Sequence, residues 1–291
     1  MKKYREIEEV LNPTSSPMVG DGFKVVNYLP GGENFGDRMN PFILMDFNPQ
    51  FNFSPTDKPR GVGIHPHRGF ETVTVAYKGS VAHNDSTGNS GVINPGDVQW
   101  MTAASGILHK EYHEKEFAKK GGFFEMVQIW VNLPKKYKMT SPKYQAVLHE
   151  QKGNVPLENG KGNIFVIAGE YNGVKGAAKT FSPIEMYDIR LDENGEAELN
   201  LPASFNTGLL VVEGEIFINE NTKAAAHQYV QFKNEEGNIE IKATKKSVLL
   251  LLSGEPINEP IAAYGPFVMN TIEEIQEAVD DFNNGKFGKI A

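Results

Sequence analysis

Seven histidines occur in 291 residues, and five of them lie between positions 65 and 113. Two stand in Gly61-Val62-Gly63-Ile64-His65-Pro66-His67-Arg68-Gly69-Phe70-Glu71. In an extended chain residues i and i+2 share a face, so His65 and His67 aim two imidazoles at one point. Gly106-Ile107-Leu108-His109-Lys110-Glu111 repeats the spacing with His109 and Glu111. Two neighbouring strands, each giving one such pair, can close a site of three neutral nitrogens and one carboxylate. The intervening residues, 68–108, suffice for hairpins that return the chain. This donor set suits a divalent first-row cation: Fe, Mn, Co, Ni, Cu or Zn. The chain has no cysteine, so thiolate sites are excluded. A six-coordinate ion held by four protein donors keeps positions for water, oxygen or substrate, which is the basis of non-haem iron oxygenase chemistry. Structural zinc sites are by contrast closed and rich in cysteine. A lone H-x-H pair often marks only a polar strand face; the second pair at matching spacing favours a metal site.

The elements around these residues read as short strands. Glycine (29) and proline (17) punctuate the chain, and β-branched and aromatic runs lie between them. They are Phe23 to Tyr28, Glu71 to Tyr77, Phe123 to Val131, Asn163 to Ala168, Thr207 to Val212 and Lys246 to Leu252. Runs of this length between turn residues predict strands, and many of them predict sandwiches or small barrels. One clear helix follows Thr271-Ile272-Glu273-Glu274, a capping box. Ile272, Ile275, Val279 and Phe282 share a face, and Gly285 is its stop. Residues 114–121 read as a short helix or a loop. The 133–142 segment, with Pro134 and Pro142, reads as a connecting arm, so the expected domains are 1–145 and 146–291.

Composition narrows the partners. The net charge is 29 − 37 = −8, the wrong sign for a general nucleic-acid coat or an anionic-membrane binder. No run of about 18 apolar residues predicts a membrane span, and the N-terminal residues lack an apolar signal region. With no cysteine, these features lead to the expectation of a cytoplasmic protein.

At the histidine pairs the sequence resembles the cupin superfamily, and within it the pirin family. His65, His67, Glu71 and Gly79 follow the first cupin motif with one extra residue before the last glycine. The second motif is looser, with Pro95-Gly96-Asp97 and Gly106-Ile107-Leu108-His109. The closer likeness is to pirins: His65 through Val73, Asn94 through Ala103, Trp130-Val131-Asn132-Leu133-Pro134 and Gly265-Pro266-Phe267-Val268-Met269-Asn270. It extends over nearly the whole chain. The resemblance implies an all-β bicupin, two tandem cupin β-barrels or sandwiches with a C-terminal helix. The first barrel would hold one metal ion, usually Fe(II), with Ni, Mn, Co, Cu and Zn as alternatives, through His65, His67, His109 and Glu111.

Two activities follow from that resemblance. One is quercetin 2,3-dioxygenase-like oxygenation of a flavonol or related aromatic enol, with O2 as second substrate. Glu111 would be the proton acceptor and Glu71 would stand behind it. The other is a redox-sensitive, iron-dependent regulator that binds a transcription factor or metabolic enzyme. Family likeness also suggests a monomer. In the second half, alignment of Gly214 with Gly79 places Asn200, Pro202 and Asn206 at the ligand positions, so no second metal site is expected. An Arg68–Glu71 ion pair, cavity roles for Phe70 and Trp100, and a pocket-facing Gln128 are further candidates. His83, His113 and His149 are expected at the surface or behind the donors, and the lysines 135, 136, 138 and 143 in water.

Overall fold

A computed structural model describes residues 2–13, 17–29, 37–158 and 160–290. The chain forms two all-β cupin-type units. One comprises Met1–Pro13, Arg38–Pro41 and Glu150–Pro256; the other comprises Thr14–Asp37, Phe42–His149 and Ile257–Ala291. Compared with a single cut after residue 145, both chain ends are exchanged. Ile7–Leu11 pairs antiparallel with Tyr229–Phe232. The C-terminal helix, expected with the 146–291 domain, belongs instead to the histidine-bearing unit, in a cluster of Phe267, Met269, Ile275, Ala278 and Phe287 against which Leu108 packs.

The histidine-bearing unit is built on two large antiparallel sheets, with two two-stranded ones beside them. The six-stranded sheet runs Lys143–Val147, Val98–Thr102, Phe70–Lys78, Gly122–Asn132, Phe42–Phe53, Val26–Leu29. The four-stranded sheet runs Gly61–His67, Ile107–His113, Val81–Asp85, Ser90–Ile93. The other unit repeats the plan with a seven-stranded and a four-stranded sheet. Its interior is aliphatic: Leu209 pairs with Leu251 and Val211 with Leu249, and all four are fully buried. Its core cluster runs from Leu157 to Leu251, and the Asn206–Glu213 and Ser247–Gly254 strands are buried on both faces.

Ile107–His113 departs from that aliphatic pattern. Ile107, His109, Glu111 and His113 are buried, whereas Leu108, Lys110 and Tyr112 are half-buried. Placing imidazoles and a carboxylate inside costs free energy unless each finds a partner, so this strand is built for its site and not for packing alone.

The Ile272–Asn283 helix has the predicted capping box, with Thr271 accepting from the Glu274 amide and Glu274 returning the bond. Gly285 follows the Asn284 cap with φ +72°. Its buried side chains are Ile275, Ala278 and Asp281, whereas Ile272 is 70% exposed. The buried stripe is therefore rotated from the predicted one, because Asp281 serves an internal cation. The 114–121 segment resolves as the Lys115–Lys120 helix, with the Glu114 carboxylate accepting from the Glu116 and Phe117 amides. Among the described residues, no helix is long and apolar enough to cross a membrane.

Lys138 departs from the expected solvated cluster. Its ammonium is buried and donates to the Gly69 carbonyl (2.8 Å), Asn132 Oδ1 (2.6 Å) and the Val268 carbonyl (2.9 Å). Burial pushes its pKa down to about 7, with Glu259 and Glu274 opposing. Between about pH 7 and the ordinary 10.5 the unfolded chain binds the extra proton, so the lysine's contribution to stability rises with pH across that window. Urea unfolding at pH 6.5, 8 and 9.5 should therefore show the wild type gaining on Lys138→Met as pH rises. Parallel pH profiles for the two proteins would refute this.

Candidate metal centre

The Gly61–His67 and Ile107–His113 strands pair antiparallel, with His109 directly opposite His65 and Ile107 opposite His67. The register slips between His109 and Glu111, which lies opposite Val62. The three imidazoles converge. Ring centroids are 4.8 Å apart for His65–His67, 4.2 Å for His65–His109 and 4.8 Å for His67–His109. One nitrogen from each lies within 4.8 Å of the others.

The hydrogen bonds leave ligand atoms free. His65 Nδ1 sits 2.8 Å from the Gly63 carbonyl. A carbonyl can only accept, so Nδ1 carries the hydrogen and Nε2 keeps its lone pair. His109 is fully buried and neither ring nitrogen has a hydrogen-bond partner. An unsatisfied buried polar group costs about 1–3 kcal/mol, and a cation is the partner that would remove the cost. Burial, reinforced by the neighbouring histidines, holds His67 and His109 well below the usual imidazole range. Both are neutral at physiological pH, the form in which imidazole binds metal.

A second group shares His109. Val81–Asp85 pairs with Ile107–His113 and sets His83 opposite Glu111. Ligand atoms of His83, His109 and Glu111 lie within 4.8 Å of one another. Glu111 thus stands with His83 and His109, beside the group formed by His65, His67 and His109. Its Oε1 accepts from Gln99 Nε2 (3.3 Å) and lies 3.4 Å from Thr74 Oγ1.

Strand parity sorts the surrounding residues. Gln99 pairs with Thr74, and both side chains reach Glu111. Glu71 pairs with Thr102, three residues away on each strand, so by alternation it points to the opposite face of that sheet. Its Oε1 accepts from the Thr102 hydroxyl at 2.7 Å. Burial pushes its pKa up to about 7, with the Thr102 hydrogen bond opposing. Glu71 therefore does not stand behind Glu111. Nor does it pair with Arg68, which bonds Asp281 Oδ2 at 2.8 Å. Phe70, on the inner face, lies 5.1 Å from His67 and stacks on Trp130 at 4.3 Å. Trp100 has the parity of the outer face. Gln128 accepts from Thr74 Oγ1 at 2.9 Å.

Of the other histidines, His113 is buried among Phe23, Phe53, Phe117 and Phe124, with Nε2 2.8 Å from the Gly22 carbonyl. His83 is the site residue missed by spacing arguments. It is alone on its strand, and only the cross-strand register joins it to Glu111.

The pirin family pattern matches residues 22–131, and that of the pirin C-terminal cupin domain matches residues 186–288. The chain belongs to the pirin family. Among its pirin relatives, a Pseudomonas aeruginosa protein provisionally named a quercetin 2,3-dioxygenase is 46% identical over 269 residues, 92% of this chain and 93% of that protein. Human pirin is 37% identical over 256 residues, covering 86% of this chain and 83% of human pirin. The crystal structure of a quercetin 2,3-dioxygenase from Acinetobacter baumannii superposes with a TM-score of 0.93 at 45% identity, over 99% of this chain and 100% of that one.

Proposed function

We propose that this pirin is a metal-dependent oxygenase of flavonol-type substrates, with His65, His67, His109 and Glu111 holding one divalent cation, iron(II) in the first instance. The observation that carries the reading is the convergence of three imidazoles beside a buried carboxylate, with both nitrogens of His109 unpartnered. When bound, such a cation supplies a positive charge that lowers the pKa of an enol hydroxyl, and open positions for substrate and oxygen. The protein residues do the rest. Glu111, steadied by Gln99, takes the hydroxyl proton as general base. Phe70 and Trp130 give an apolar wall beside His67 against which an aromatic ring packs and from which water is excluded. The Thr72 hydroxyl and the Gln99 side-chain carbonyl are buried without a partner. They share the inner face with Thr74 and are placed to orient polar substituents of a ring. The dioxygenase names of the Pseudomonas and Acinetobacter relatives support the same reading.

Steady-state O2 uptake over a flavonol panel tests it. Uptake should require both the iron-loaded protein and a flavonol, and the metal-free protein should give none. A fully loaded protein that consumes no O2 with any flavonol would leave the oxygenase reading without support and turn the search to a partner-binding regulator.

A further inference from the structure

His83 lies outside the donor set expected from spacing, yet its surroundings are those of a ligand. The side chain is 1% exposed. Its Nε2 faces Asp85 Oδ2 at 3.1 Å, and its ring stacks on Tyr144 at 5.2 Å with an interplanar angle of 27°. Asp85 Oδ1 is occupied by the Thr87 amide (2.9 Å), the Thr87 hydroxyl (2.7 Å) and the Asn89 amide (3.1 Å). These donors anchor Asp85 as a carboxylate, which accepts a hydrogen bond and has none to give. The hydrogen of His83 therefore sits on Nε2, and Nδ1 presents its lone pair. That Nδ1 is buried and has no hydrogen-bond partner. One ring nitrogen of His83 lies in a group with donor atoms of His109 and Glu111, all within 4.8 Å of one another.

An imidazole whose far nitrogen donates to a buried carboxylate is the recurrent form of a ligating histidine: the carboxylate fixes the tautomer, sets the ring and raises its basicity. A purely structural Asp–His pair would leave the cost of burying the unpartnered Nδ1 unrelieved. We propose that His83, oriented by Asp85, is a ligand of this metal centre, forming with His109 and Glu111 a second three-donor position that shares His109 with the first. Two imidazoles and a carboxylate take divalent first-row cations. The inference rests on the metal-centre reading above and adds a donor and its positioning residue to it.

Cobalt(II) titration of the full-length protein, followed by visible absorption, tests the assignment without turnover. His83→Gln should weaken cobalt binding at least about tenfold and alter the ligand-field bands. Asp85→Asn should weaken it by about 10–100-fold, the usual range for loss of an orienting partner. A folded His83→Gln protein with wild-type affinity and bands overturns the proposal. Should His83→Gln not fold, Asp85→Asn decides alone, and unchanged affinity and bands overturn it. His67→Ala separates the two levels of inference. If His67→Ala binds cobalt as the wild type does, the metal-centre reading itself fails. If His67→Ala loses cobalt while His83→Gln keeps it unchanged, only the assignment of His83 fails.

Discussion

His109→Ala should lose more than about 100-fold in affinity for a divalent cation, beyond the range typical of residues that merely orient a ligand. The ring is common to both donor groups, so no rearrangement of the remaining side chains restores either. The clearest readout is thermal. A ligand that binds only the folded state stabilises it by about 2.7 kcal/mol at one hundred times Kd, which is roughly 5–10 °C for a domain of this size. Wild type should show that rise on adding metal, and His109→Ala should show none. His113 is the control, because it lies on the same strand with the same parity and is equally buried. Its ring is surrounded by phenylalanines and tied to the Gly22 carbonyl. His113→Ala should cost about 3 kcal/mol through the cavity it leaves yet keep the metal-dependent rise. A metal-dependent rise in His109→Ala equal to wild type would refute the assignment. Because burial keeps His67 and His109 neutral, cation binding displaces no proton from either ring at neutral pH.

What the sequence made legible, and what it hid, divides along the range of the interactions. The pairs His65/His67 and His109/Glu111 are readable because a strand's period of two is a local property, and the two strands do pair as that reading requires. The helix cap at Thr271 is equally local. His83 is hidden because its relation to Glu111 is a cross-strand register, set by hairpins that spacing does not encode. Glu71 follows the cupin motif, but strand parity turns it toward Thr102 and away from Thr74. Lys138 looks like one more solvated lysine, since its acceptors at Gly69 and Val268 come from distant parts of the chain. The exchange of both chain ends between the units has the same origin: Ile7–Leu11 finds its partner strand more than 200 residues away.

Asp281→Ala should destabilise the histidine-bearing unit by about 3 kcal/mol, because it strands a buried charge. Arg68 follows the His65/His67 pair directly and is 3% exposed. Its guanidinium bonds the Ser105 carbonyl through Nε (2.7 Å) and Asp281 Oδ2 (2.8 Å), and lies 4.7 Å from the Phe287 ring centroid. The next residue, Gly69, has φ +90°, and a Cβ there would meet the Val268 carbonyl oxygen at 1.9 Å. The chain end after residue 256 thus clamps the strand terminus that carries His67. Removing one partner of a buried pair typically costs 3–5 kcal/mol; Asp281 retains some exposure, which favours the lower end. The melting temperature should fall by roughly 6–12 °C, whereas cobalt affinity should fall less than it does in His109→Ala, since no donor is lost. Lys286 and Arg68 hold the Asp281 carboxyl below its usual range, so its contribution is present above that range and is lost as pH falls through the depressed pKa. The double variant Arg68→Met with Asp281→Leu separates charge from packing, because apolar replacement of a buried pair is often neutral or better. It should recover most of the loss. If the double variant melts as low as Asp281→Ala, the clamp acts through shape and not through the uncompensated guanidinium.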